Sequence, residues 1–482
     1  MKKLLILITI IYLHSFTIHA QFSEDALRFS QQENILGARA LGMGSAYIGV
    51  ADDFSATHYN PAGLAQMRRL EIAGGLSINN YTNAVNFLGQ KTTADKSSTS
   101  LNNFGVVFPF PTVQGSLVFA ISYNRIADFA KTRSFNGFNE QSSIIPTLID
   151  GNDTYDIPFN IYLVNKYNDG TVFTPIQNNV QQSGEVQESG GKNALAFSGA
   201  IDVAENISFG ITLNAISGNY QYIRNYKEED TKNIYQFSQP ITNTDSAVYK
   251  FDKFYYDSKI EDELSGASFI FGLMYRMEMA RFGFTIKTSG IAIKETYSDA
   301  GESVFDDNNI PSTVKKKYSY EAKNSYGVNG PWTFGFGGSV FPIPNLLLAG
   351  DIEYTDWTQM AWTSNDDLVK ENSALSKKFR SVINYRFGIE YEISQISNPI
   401  RIRVGYMKNP SAFKNDPNDF DYTAFTGGVG ILLQDNLLLD VAGVFGSTKT
   451  YHNNYTSLIK DVSRTDETIS TRNIYCTISY RF

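Results

Sequence analysis

Several segments of this chain alternate apolar and polar residues over about ten positions, and that pattern restricts its fold more than any other feature. In Ser381 to Ile393, the residues Ile383, Tyr385, Phe387, Ile389, Tyr391 and Ile393 fall on one face, and Asn384, Arg386, Glu390 and Glu392 on the other. Ile400, Ile402, Val404 and Tyr406 continue the pattern against Arg401 and Arg403, so Ser394 to Pro399 reads as the turn of a hairpin. A strand presents alternate side chains to opposite faces, so one side of this sheet must be greasy and the other wet. The connections alternate between long and short, which a soluble β-sandwich would not need, so the sheet reads as a barrel.

Carried along the chain, the pattern predicts 14 strands, near 69–81, 101–109, 115–126, 193–203, 206–222, 263–276, 280–294, 331–342, 345–358, 380–393, 399–408, 422–433, 436–447 and 471–482. The number is even, as a bacterial single-chain barrel requires. Short connections such as Ala204-Glu205, Pro342-Ile343-Pro344 and Gln434-Asp435 suit periplasmic turns. The long polar connections 127–192, 223–262, 295–330, 359–379 and 448–470 would face outward, some of them prolonging the strands above the membrane. The expected fold is all-β, a 14-stranded antiparallel transmembrane β-barrel spanning residues 69–482, in the outer membrane.

The ends of the chain fit that location. Lys2 and Lys3, an apolar run from Leu4 to Leu13 and the close Ile18-His19-Ala20 have the layout of a secretory signal over residues 1–20, too short in its apolar core to span a bilayer. Removing it takes the basic count from 41 to 39 against 49 acidic residues, a net charge of -10, which excludes nucleic acid as a partner by charge. At the other end Ile474, Cys476, Ile478, Tyr480 and Phe482 share one face. A last strand of this kind is what outer-membrane assembly machinery reads, though an ordinary edge strand can end the same way. Cys476 is the only cysteine, so no intramolecular disulfide can form.

Residues 22–68 do not alternate and must lie elsewhere than in the wall. Asp25 to Asn34 suits a short helix, Gly37 to Ala46 is rich in small residues, and Tyr59-Asn60-Pro61-Ala62-Gly63 has the chemistry of a tight turn. Pro61 fixes its own φ and disfavours helix at Asn60, and Gly63 admits conformations closed to other residues. A compact segment of small residues ahead of a barrel reads as a plug, here residues 21–68.

The run from Gly37 to Gly63, GARALGMGSAYIGVADDFSATHYNPAG, resembles the N-terminal hatch of the FadL-type family of long-chain fatty acid and aromatic hydrocarbon transporters. The resemblance implies a hatch that closes the barrel from inside, with Asn60, Pro61, Ala62 and Gly63 as its gate element. A plain turn is the alternative reading of those four residues.

Other chemistry finds little support. Gly42-x-Gly44 is followed by Tyr47 where a dinucleotide fingerprint needs glycine, and no Lys-Ser/Thr pair closes a phosphate loop. Asp52 and Asp53 beside Ser55 read as a solvated cap or turn. After signal removal only His58 and His452 remain, one in the plug and one in an outer loop, which disfavours a histidine-dependent hydrolase, a zinc site and a bis-histidine haem; no cofactor or metal is expected.

The expected function is transport of small hydrophobic compounds, long-chain fatty acids or aromatic hydrocarbons, down their gradient past a movable hatch. The partners would be that hydrophobic ligand, outer-membrane lipid and the assembly machinery. The alternative is a structural or secretion-associated barrel that holds a protein partner and transports nothing; a porin for polar solutes is disfavoured because a plug would block it. Candidate capture residues are Ile144, Ile145, Leu148 and Ile149, an apolar patch in a polar loop that could equally be a loop helix packed on its neighbours. Arg386, Arg401 and Arg403 could attract a carboxylate headgroup, or form lumenal salt bridges with residues such as Glu390.

Overall fold

The computed structural model describes residues 19–482 apart from 34, 150–155, 167–170, 236–249, 307–313, 396 and 458. Its wall consists of β1 (Glu71–Phe87), β2 (Gln90–Phe110), β3 (Leu117–Asp128), β4 (Val180–Ala204), β5 (Ile207–Glu229), β6 (Lys250–Arg276) and β7 (Ala280–Asp306), followed by β8 (Thr333–Ile343), β9 (Leu346–Asp356), β10 (Ser381–Ile393), β11 (Ile400–Asn409), β12 (Tyr422–Leu433), β13 (Leu437–Asn453) and β14 (Arg464–Arg481). Each pairs antiparallel with the next, and β14 returns to β1 from Glu71↔Arg481 up to Phe87↔Thr465. Closure leaves the wall no free edge. Segments Lys131–Asn139, Val314–Asn329 and Ala361–Thr363 continue β3, β8 and β9 past short breaks above the membrane, the first pairing with β4, the second with β7 and the third with the second.

The alternation sorts the side chains as expected. On β10 Phe387 is 55% exposed whereas Arg386 is 3%. Tyr385, Ile389 and Tyr391 join Phe387 outside, and Glu390 joins Arg386 within. Ile211 and Leu213 on β5, Phe336 on β8, Val404 on β11, Phe425 on β12 and Ile478 on β14 carry the same apolar belt around the barrel. A belt this continuous is far larger than the apolar patches that soluble proteins leave in water, and it suits hydrocarbon.

The outer connections contain much more strand than their composition indicates. β6 and β7 are each 27 residues long, against the roughly 9–11 needed to cross a bilayer. β1 and β2 run on through 82–100 to a tight turn at Leu88-Gly89, where both φ angles are positive. Above the membrane water replaces lipid on the outer face, so the outward apolar belt ends while the backbone ladder continues.

Inside the barrel, the apolar contacts fall into layers. One holds the plug residues Leu36 to Met67 against Val118, Ala120 and Leu347 near the periplasmic end; a second surrounds Ala26 and Phe29; a third, beneath the outer loops, contains Ile144, Ile145 and Leu148. The first helix, α1, covers His19–Ser30 rather than Asp25 to Asn34. It stops at Ser30 because the Lys192 ammonium takes the carbonyls of Phe29 (2.7 Å) and Gln31 (2.5 Å), satisfying acceptors that further helix would have used. Below it come two short helices, α2 (Ala38–Gly42) and α3 (Ala56–Tyr59), and a 3-10 turn at Pro61–Gln66.

Candidate functional site

The Asn60 to Gly63 turn is built by its own residues. Asn60 is extended (φ -155°), its Oδ1 accepts from Ala62 N (3.1 Å), and Pro61 opens the 3-10 turn at a position whose N–H would have had no partner. Asn60 Nδ2 donates to Ile48 O (2.9 Å) and to the wall carbonyl of Leu273 (3.3 Å). Gly63 is needed for space rather than for an unusual φ, since a Cβ there would collide with the carbonyl of Ala51. All four residues are buried.

The turn rests on glycines of the wall. Gly210 and Gly272 oppose one another on β5 and β6; a Cβ on the first would strike Pro61, and on the second Asn60. The same device recurs around the barrel: Gly283 and Gly337 receive Ile48, and the paired Gly388 and Gly405 receive Met43 and Gly44. Inward side chains here would hold the plug away from the wall, so glycine lets backbone meet backbone. Between the glycines, polar side chains take the plug's free backbone groups. Asp351 accepts from Tyr47 N (2.6 Å) and Ile48 N (2.8 Å), Thr426 bonds Gly44 N and Gly42 O (both 3.0 Å), Thr477 accepts from Ala38 N (3.0 Å), and Glu71 from Phe54 N (2.9 Å).

A buried ion network fastens plug to wall. Arg39 donates to both oxygens of Glu390 (2.9 Å each) and pairs with Asp52, which also receives Arg281 (3.2 Å). Although burial pushes the Asp52 carboxyl up, the guanidinium groups of Arg39, Arg281 and Arg481 hold it well below the usual carboxylate range. The predicted arginines lie in this layer. Arg403 bridges Glu390 (2.6 Å) and Asp440 (2.5 Å), Arg386 meets Glu353 (3.1 Å), and Arg401, partly exposed, meets Glu392 (2.7 Å). Asp52 is therefore an ion-pair residue and not a solvated cap. Asp53 does cap, its Oδ1 accepting from Ser55 N (2.9 Å), and it takes the Tyr47 hydroxyl (2.7 Å) from within a buried setting.

Ile144, Ile145, Leu148 and Ile149 are in the outer layer, apart from the turn and the arginines. Ile145 to Leu148 form a 3-10 turn, with Ile144, Ile145 and Leu148 buried and Ile149 partly so, packed among residues such as Phe87, Phe135, Phe254 and Tyr455. The turn is tied down by Glu228, which accepts from Ser143 Oγ (2.5 Å), Ile144 N (2.8 Å), Gln182 Nε2 (2.8 Å) and Tyr226 OH (2.9 Å). His58 packs edge-on against Tyr59 in the plug, and burial, then the nearby Lys287 charge, push its pKa down to about 3. His452 pairs with Glu467 (2.7 Å) on the strand extensions.

Sequence reasoning did not identify Arg39, Asp440 or the wall glycines as plug contacts. A signal for the glycines exists: Gly335 and Gly337 occupy inward positions of Thr-Phe-Gly-Phe-Gly, where a lumenal strand would otherwise carry polar side chains.

Comparisons with known proteins agree with this architecture. A sequence profile of the family described as outer membrane protein transport protein (OMPP1/FadL/TodX) matches residues 31–482. The Pseudomonas putida toluene transporter TodX superposes with a TM-score of 0.55 at 11% identity, over 94% of this chain and 99% of that one. A Pseudomonas aeruginosa FadL homologue does so with a TM-score of 0.54 at 12% identity, again over 94% and 99%. No curated protein sequence matches the chain. At such identities the structural likeness shows the fold alone, but the profile covers nearly the whole barrel and its plug. This chain, an outer-membrane β-barrel, belongs to the outer membrane transport protein family that includes FadL and TodX.

Proposed function

We propose that this protein carries small hydrophobic compounds, such as long-chain fatty acids or aromatic hydrocarbons, passively across the outer membrane, with its N-terminal segment as the gate. The observation that carries this reading is the stacking within the barrel: an apolar cluster under the outer loops stands above a lumen filled by the chain's own N-terminal segment. In this reading a greasy solute enters by parting the upper apolar layer, in which Ile144, Ile145, Leu148 and Ile149 are packed among their neighbours, and passes further only when the segment below rearranges. The Asn60 to Gly63 turn is the latch in this reading. It is the plug element seated on the β5–β6 glycine pair, so its release opens a gap along that wall.

The arginines fit a bracing role better than headgroup capture. Arg386 and Arg403 already hold buried carboxylates, and a cargo carboxylate would have to displace those partners. A hydrocarbon cargo needs no such exchange, and the toluene transporter among the structural neighbours supports that side of the range. The test is entry of radiolabelled toluene and of a long-chain fatty acid into cells with an intact outer membrane, with and without the protein. Faster entry of either supports the reading; entry equal to that of cells lacking the protein, for both probes, overturns it.

A further inference from the structure

Helix α1 carries a guanidinium into a chamber of wall carboxylates and aromatic rings. Arg28 Cζ lies 4.5 Å from the centre of the Tyr220 ring, and Nε is 3.6 Å from Glu188 Oε2, while Nη1 pairs with Asp25 of the same helix. Tyr220 donates to Glu188 (3.0 Å) and opposes Asp262 across the β5–β6 ladder. Asp262 in turn opposes Glu295 on β7, whose Oε2 accepts from the Tyr326 hydroxyl (3.1 Å). Tyr220, Asp262, Glu295 and Tyr326 are all buried, and among the described residues no donor reaches Asp262 Oδ1. Lys131, Arg133 and His452 are further cations nearby, and all three act on the Glu188 side.

Asp25 and Glu188 therefore take the guanidinium directly, while Asp262 and Glu295 form no ion pair among the described residues. A buried carboxylate oxygen without a donor is costly unless a cation is meant to meet it. The arrangement does not suit a metal ion, because among the described residues no three carboxylate or histidine groups close around one point. It does suit a larger, softer cation. Tyr220 and Phe129 stand edge to face at 5.5 Å, and Tyr326 and Trp362 at 5.4 Å, giving ring faces and apolar surface around the charge.

We propose that Glu188, Tyr220, Asp262, Glu295 and Tyr326 form a binding site for hydrophobic organic cations, aryl- or alkylammonium compounds, and that Arg28 occupies it as an internal stand-in. The inference goes beyond the transport reading and does not depend on it. A ligand of this class competes with Arg28 for the same carboxylates and ring face, and its binding loosens α1 from the lumen. Carboxylate-bearing molecules meet repulsion at the same place.

The experiment is calorimetric titration of the purified full-length barrel with phenyltrimethylammonium, which keeps its charge at every pH, and with phenylacetate as the anionic match. Saturable phenyltrimethylammonium binding at least about tenfold tighter than phenylacetate is expected. Arg28→Ala removes the internal competitor and should tighten ammonium binding by about tenfold, the opposite of what loss of a merely structural residue would do. Asp262→Asn with Glu295→Gln should weaken it by about tenfold. Should that double variant fail to assemble, Arg28→Ala decides alone, since it alters the lumenal helix and not the wall. Equal affinity for the two probes overturns the proposal, and so does an assembled Arg28→Ala barrel that binds phenyltrimethylammonium no more tightly than the parent. A barrel that binds the cation but moves no hydrocarbon in the uptake assay leaves this site standing and removes only the transport reading.

Discussion

At the scale of single residues, the plug is held by contacts that tolerate little change. Gly272 has no room for a side chain because Asn60 fills the space, so Gly272→Val should unseat the turn at a cost of about 1–3 kcal/mol of overpacking. In planar bilayers the variant is expected to conduct several-fold more than the parent, and an assembled variant as silent as the parent would show that the seat is not tight. Arg39→Ala strips Glu390 and Asp52 of a shared guanidinium, and since Arg403 and Arg281 still neutralise them the loss should be that of a charge-assisted hydrogen bond, about 1.5–3 kcal/mol, read as a lower midpoint in urea. His58 supplies a pH dependence. Its pKa falls from 6.5 to about 3 on burial, so the unfolded segment binds the proton more readily. The stability it contributes is complete above pH 6.5 and is lost, at about 1.4 kcal/mol per pH unit, as pH drops toward 3. Hydrogen exchange of plug amides, corrected for intrinsic rate, should show protection falling between pH 6.5 and 4. His58→Gln should remove that decline, and a decline that survives the substitution assigns it elsewhere.

At the scale of elements, strand, turn and loop each follow from a different local rule. β10 presents Phe387 to lipid near mid-strand, and Phe387→Arg there should cost roughly 2–4 kcal/mol of stability in a bilayer. Equilibrium unfolding in lipid vesicles measures it, and a variant as stable as the parent would mean that the two faces are reversed. The wall strands were legible because lipid and lumen impose opposite chemistry on alternate residues. Their extensions, such as 82–87 and 90–100, were not, since their outward face meets water instead of lipid and the apolar half of the alternation is lost there. The patch Ile144 to Ile149 was legible as apolar, but its anchoring by Glu228, 79 positions beyond Ile149, was not.

At the scale of the whole molecule, the wall and its filling are separable. Each wall strand finds its ladder partners in other wall strands, so Pro61→Ala should leave an assembled barrel with unchanged heat-modifiable gel mobility while altering uptake of a hydrophobic probe. Uptake equal to the parent's for fatty acids and aromatic hydrocarbons alike would remove the latch, and loss of assembly would make the turn a structural element. The sequence by itself determined the closed barrel, its strand number and which face of each strand meets lipid, because period-two alternation is a local property that two different solvents enforce on every strand. It also set apart the N-terminal residues, which lack the alternation. Only the tertiary structure decided what those residues touch. The glycine seat, the Arg39–Glu390–Arg403 network and the chamber around Arg28 join positions more than a hundred residues apart. Such pairings depend on how far around the barrel each strand lies and how high it is staggered, and neither quantity is written in the composition or spacing of any one segment.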